Sequence, residues 1–214
     1  TRCRGDDQVG AEIKTPDPFY FPKSNVRHHL HVMNHMNIET THDLIEKILA
    51  KWTRLMGDDY AGYNGHVYRM FNFCLALRPC TEDERTKLAI AACFHDIGLW
   101  SDHTVDYISP SVAHAAQYLS DTGRQAWAEE IALMIEMHHK VRAYTDGRYP
   151  LVELFRKGDL VDFSLGLFSF GIPRAYIRRV KTYIPNHGFH KFLIKTGGSW
   201  FLKHPFSPAP FMRW

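Results

Sequence analysis

The chain has 214 residues, 45% of them hydrophobic, which suffices for one sizeable core and makes a single domain the expectation. Its formal charge is +3, from 26 Lys and Arg against 23 Asp and Glu; this suits a small anionic substrate and is too weak a field for nucleic acid. No apolar run reaches the roughly 18 residues of a spanning helix, the start does not read as a signal peptide, and the four cysteines (Cys3, Cys74, Cys80, Cys93) lack CxxC spacing, so a cytoplasmic protein with reduced thiols and no membrane association is expected.

Residues 1–39 show no clear period. Pro16, Pro18 and Pro22 break any helix there, and four His fall between His28 and Met36; the stretch reads as an irregular arm. Thr40 and Thr41 are candidate caps for a helix running to about Met56, whose apolar positions Leu44, Ile45, Ile48, Leu49, Trp52 and Leu55 recur at helical spacing. The pair His42-Asp43 falls in its first turn, where an Asp favours the helix dipole and needs no other explanation. After a turn at Gly57-Asp58-Asp59, a second helix over about 61–77 stops before Pro79 and sets His66 on one face with Met70, Phe73 and Leu77.

Thr81 and Glu84 form a capping box for a third helix that continues through Leu88, Ala91, Ala92 and His95, with Gly98 as its expected end. Ser109-Pro110 marks a fourth, to about Asp121, with His114 on the face of Ser111 and Tyr118. A fifth covers about 124–141 and points His138 inward with Trp127, Ile131 and Met134. The sixth runs from Pro150 to about Leu165, with Asp159 one turn after Phe155 and Asp162 three residues further on. Pro173 opens a basic helix ending at Pro185. The tail from Gly188 to Trp214 mixes aromatic and basic residues, and Pro205, Pro208 and Pro210 make its end irregular. No strand run and no dividing linker appear, so the expected fold is an all-α bundle.

Six inward-facing groups share this pattern: His66, His95, Asp96, His114, His138 and Asp159. They come from five successive helices. Burying them without partners is very costly, and a divalent metal pair resolves that cost, since imidazole suits Fe, Zn, Mn and Co and a carboxylate can bridge two ions.

The order His66, His95-Asp96, His114, His138, Asp159, with the string His95-Asp96-Ile97-Gly98, resembles the HD-domain superfamily of metal-dependent phosphohydrolases. The resemblance covers about residues 40–165. It implies one HD-type domain over 1–214, with a core at about 40–165, an N-terminal arm at 1–39 and a C-terminal basic and aromatic extension at 166–214. It further implies two transition-metal ions, iron ahead of Mn, Co or Zn. His66, His95, Asp96 and Asp159 would hold one, and Asp96 would bridge to a second held by His114 and His138, with Asp162 the substitute for Asp159. Two such ions lower the pKa of a bound water and clamp the oxygens of a phosphate mono- or diester. Asp96 is the expected catalytic carboxylate and His139 the candidate proton donor to the leaving group. Arg142, one turn beyond His138, and Lys140 are the candidates for gripping an anionic oxygen.

Two further readings stand beside hydrolysis. The segment His138-His139, Asp146-Gly147, Tyr149-Pro150 is similar to one in the cyclic-dinucleotide phosphodiesterases, but Lys140 replaces a Glu, Arg148 a Gly and Leu99 a Lys, which speaks against that substrate. The same ligand set also occurs in the HD-type mixed-valent di-iron oxygenases, which cleave a C–C or C–P bond. The last alternative is a metal-stabilised binding module whose tail docks on a surface.

Overall fold

A computed structural model describes residues 37–203. Among them are ten α-helices and no strand, the all-α architecture that the spacing of apolar residues implies. In order they are α1 (Asp43–Leu49), α2 (Thr53–Met56), α3 (Tyr60–Leu77), α4 (Glu82–Phe94), α5 (Gly98–Ser101), α6 (Ile108–Asp121), α7 (Ala128–Met137), α8 (Pro150–Phe163), α9 (Arg174–Tyr183) and α10 (Phe189–Lys203). The arm at 1–36, with Cys3, the three prolines and the His-rich stretch, lies outside the described residues, as do Pro205, Pro208 and Pro210.

The core is built around α3. From Gly62 to Ala76 every residue except Asn64 is buried, as expected for a helix enclosed on all sides. Its main neighbour is α8, and a glycine makes their contact possible. A Cβ on Gly158 would lie 2.3 Å from Cys74 Sγ and 3.1 Å from the Met70 carbonyl oxygen. The helix α4 begins with the complete Thr81/Glu84 capping box and packs on α1, α3 and α7 through a face that includes buried Ala89, Ala91 and Ala92. Pro150 occupies the first turn of α8, where its missing N–H costs nothing. Cys74 and Cys93 are buried and reduced, and Cys80 is partly buried and reduced.

Several boundaries differ from the sequence expectation. Thr40 and Thr41 do not cap the first helix; His42 occupies the cap position without a side-chain bond, and a 3-10 turn at Ala50–Trp52 separates α1 from α2. Gly98 does not end α4, which stops at Phe94. It opens α5, where a Cβ would meet the Tyr107 carbonyl oxygen at 2.5 Å. The α7 helix ends at Met137 rather than near Val141, and a Lys140 N–H to Met137 carbonyl bond of 3.0 Å closes the turn.

The C-terminal segment contributes to the same core. Ile172, Tyr176, Ile177, Val180, Ile184 and Phe189 are all buried with the residues of α3, α4 and α8. The α9 helix turns Tyr176, Ile177 and Val180 inward and leaves Arg178 and Lys181 exposed. The sequence reading placed no helix at α10. No described helix is long and apolar enough to cross a membrane.

Candidate metal centre

Four side-chain donors from three elements meet in the core. The second turn of α3 supplies His66, the turn after α4 supplies His95 and Asp96, and α8 supplies Asp159. His66 Nε2 lies 3.0 Å from His95 Nε2, 3.3 Å from Asp159 Oδ1 and 3.9 Å from Asp96 Oδ2. His95 Nε2 lies 3.2 Å from Asp96 Oδ2 and 3.9 Å from Asp159 Oδ1. Donors held about 2.0–2.1 Å from a tetrahedral ion stand roughly 3.3–3.4 Å from one another; His66, His95 and Asp96 lie close enough together to hold a cation, and Asp159 borders that group through His66. All four residues are at most 3% exposed.

The other edge of each ring is fixed. His66 Nδ1 donates to Asp162 Oδ2 at 2.7 Å, and His95 Nδ1 donates to the Ala92 carbonyl at 2.8 Å. Both rings therefore turn Nε2 inward, and with neutral rings two lone pairs face each other across 3.0 Å. That contact is repulsive unless a cation lies between them. Without a metal, a proton fills that role. Burial alone would lower His66, but the Asp159 and Asp162 carboxylates outweigh it and lift His66 from 6.5 to about 9.

Arg69 explains why Asp162 is present. Its guanidinium grips that carboxylate in two places, Nε to Oδ1 at 2.7 Å and Nη2 to Oδ2 at 2.9 Å, and its Nη1 donates to the Pro185 carbonyl at 2.8 Å. Burial opposes ionisation of Asp162, but His66 and Arg69 hold it down at about 2. Gly65 leaves room for the pair, since a Cβ there would lie 3.0 Å from Arg69 Nη1. Asp162 is thus the carboxylate that orients His66, and Asp159 is the one that faces the donors.

A second position adjoins the first. Asp96 Oδ1 and His138 Nε2 face each other at 3.4 Å, both buried, and neither has a hydrogen-bond partner among the described residues. His138 Nδ1 donates to the Ile135 carbonyl at 2.6 Å, which again turns Nε2 inward. His139 joins them, so that Asp96, His138 and His139 form a second group able to hold an ion. His139 also contacts the Tyr107 hydroxyl through Nε2. Burial, then the neighbouring His138, lowers His139 to about 3.

The expected ligand His114 is not in this cluster. The buried stripe of α6 is Ser111, Ala115 and Leu119, and His114 lies off it. Its ring is half-buried, packs edge-on against Trp52 and sits 3.8 Å from Asp102 Oδ2. The second group draws on His139 instead. Arg142 and Lys140 also depart from expectation, because α7 ends before His138 and helical phase no longer applies to them. Arg142 is exposed. Lys140 borders a neighbouring cavity of about 460 Å³ that also touches Arg156, His138 and Asp159.

A pocket of about 430 Å³ opens over the donors. His66, Asp96, Asp159 and His139 form its polar floor, and Leu99, Val105, Phe163, Leu165, Phe189, Leu193 and Ile194 form most of its walls. Phe189 stacks on His66 with ring centres 4.3 Å apart. A larger cavity of about 560 Å³ lies on the other flank of α10 and touches none of the donors. Arg69, Tyr107 and α10 escaped the sequence reading. The signal for Arg69 was its position three residues after His66 on a helix otherwise apolar or aromatic at its centre.

No protein-family model matches the chain, and neither curated proteins nor solved structures include a significant match.

Proposed function

We propose that this chain is a metal-dependent phosphohydrolase with two adjacent cation positions. The observation that carries the reading is the convergence of His66, His95, Asp96 and Asp159, with both imidazoles anchored at Nδ1 and aiming Nε2 at one point. Bound there, divalent ions supply Lewis acidity that activates water and polarises a phosphoryl oxygen. His66, His95 and Asp96, with Asp159 beside them, would hold the first ion, and Asp96, His138 and His139 would hold the second. Imidazole and carboxylate donors together suit iron, and also Mn, Co or Zn.

Charge supports a phosphate ester. Asp162 is neutralised by Arg69, which leaves Asp96 and Asp159 as two unmatched carboxylates. Two divalent ions bring four positive charges against these two negative ones, and a phosphate ester supplies the remaining negative charge. The pocket then needs no Lys or Arg on its walls, and none is found among its described lining residues. Tyr107, which contacts His139 at the pocket floor and whose hydroxyl burial keeps protonated, is placed to donate a hydrogen bond beside the leaving oxygen.

The oxygenase reading uses the same donors and is separated by the reaction. The test follows phosphate and dioxygen together in protein loaded with Fe, Mn, Co or Zn and incubated with phosphate esters. Release of phosphate without oxygen uptake is expected. Oxygen uptake that depends on a substrate, with no phosphate released by hydrolysis, contradicts the proposal.

A further inference from the structure

The chemistry of the pocket walls narrows the substrate, and the inference rests on the phosphohydrolase reading above. Above the donor floor the lining is Leu99, Val105, Phe163, Leu165, Phe189, Leu193 and Ile194, two of them aromatic. The polar groups on the walls are mostly engaged with the protein itself. His190 directs Nε2 at the carbonyls of Asp162 and Phe163, at 3.0 and 3.2 Å, and its Nδ1 contacts the Asn186 amide. Tyr107 meets His139. Among the described residues no Asn, Gln, Lys or Arg lines this pocket, and Thr196 is the remaining side-chain hydroxyl.

The helix α10 makes the separation sharper. Phe189, His190, Leu193, Ile194, Thr196 and Gly197 line the pocket over the donors. Lys191 and Lys195, on the same helix, line the larger cavity on its opposite flank. Lys191 and Lys195 therefore line the far cavity, together with Phe192 and Trp200, whereas Phe189, Leu193 and Ile194 line the pocket over the donors. Such a lining rewards burial of apolar surface and offers almost nothing to a sugar hydroxyl, a base edge or a second phosphate. The volume of about 430 Å³ admits either a naphthalene-sized group or a nucleoside, so the wall chemistry decides between them.

We infer that the site takes a phosphate ester whose alcohol part is compact, apolar and uncharged, and that it discriminates against nucleotides. The phosphoryl group meets the ions at the floor, and the organic group packs against Phe189, Leu193 and Ile194. Hydrolysis breaks the phosphorus–oxygen bond to the leaving alcohol, adds the oxygen of water to phosphorus, and returns one proton to the alcohol. No oxidant or reductant is needed.

Binding is the direct test, with any phosphate released during the titration followed separately. Metal-loaded protein is titrated calorimetrically with 1-naphthyl phosphate, with AMP and with inorganic phosphate. The expected order is 1-naphthyl phosphate tightest, by about tenfold or more over AMP. Leu193 is partly buried and Ile194 is 77% exposed, so the double variant Leu193→Gln/Ile194→Gln is expected to fold. It should weaken 1-naphthyl phosphate several-fold and leave inorganic phosphate and metal content unchanged. AMP binding as tightly as 1-naphthyl phosphate, no binding of either ester, or a double variant with unaltered naphthyl affinity would each overturn the inference. Tight naphthyl binding with no phosphate released leaves the inference standing and removes the hydrolase reading instead.

Discussion

His66 is held by opposing demands that a cation resolves. Its Nδ1 is committed to Asp162, and its Nε2 confronts both His95 and Asp159. In the metal-free chain the ring is protonated up to about pH 9, because the two carboxylates overcome the effect of burial. A metal at Nε2 must displace that proton. Calorimetric titration of the metal-free protein in buffers of different ionisation enthalpy should show protons released on metal binding at pH 7.5, His66 among their sources, and markedly fewer at pH 10. Absence of proton release at pH 7.5 would contradict the geometry.

The sign of the pH dependence follows from the same groups. His66 is raised on folding, so its contribution to metal-free stability is full below about 6.5 and is lost as pH rises through about 9. Asp162 is lowered on folding, so its contribution is full above about 4 and is lost as pH falls toward about 2. Denaturant midpoints of the metal-free protein should therefore decline at both ends. Most of the cluster was legible in the sequence because His66 and Asp159 follow helical phase from apolar neighbours, and His95, Asp96 and His138 come within two residues of the ends of α4 and α7, where that phase still holds approximately. His114 failed on phase, since Ser111, Ala115 and Leu119 form the buried stripe of α6. The role of Arg69 was not legible, because its partner Asp162 is 93 residues away in the chain.

The site depends on how closely α3 and α8 approach, since His66 and Arg69 come from one and Asp159 and Asp162 from the other. Gly158 sits at that contact beside Asp159, facing Cys74 Sγ and the Met70 carbonyl. Gly158→Ala should push the helices apart, cost about 1–3 kcal/mol in urea unfolding and weaken metal binding. Unchanged stability and unchanged affinity would mean that this contact does not set the site. Helix interiors were readable from periodicity and caps, the Thr81/Glu84 box being the clearest case. Helix ends were less so. The α7 helix stops at Met137 although no proline or glycine follows until Gly147, so local sequence carried no stop signal, and the expected phase of Arg142 was lost with it. The α10 helix was hidden by Gly197 and Gly198 inside it and by prolines just beyond it.

The C-terminal segment and the helices that carry the donors share one core. Tyr176, Ile177 and Val180 of α9 and Phe189 of α10 are buried against it, and the Arg69 guanidinium donates to the Pro185 carbonyl between those two helices. Truncation after residue 165 should expose this surface and abolish the cooperative thermal transition followed by circular dichroism. Retention of a cooperative, native-like melt would show that the first part folds by itself. The all-α class was legible because apolar residues recur at helical spacing throughout 43–163. Attachment of the tail was not, since it depends on contacts distant in sequence.

Metal analysis of protein purified without oxygen tests the metal centre most directly. About two transition-metal ions per chain are predicted for the unaltered protein. Asp96→Ala, which removes the carboxylate shared by both positions, should lose nearly all of the metal, His138→Ala should retain about one ion, and His114→Ala should retain both. Less than one ion per chain in the unaltered protein, or full metal content in Asp96→Ala, would contradict the account.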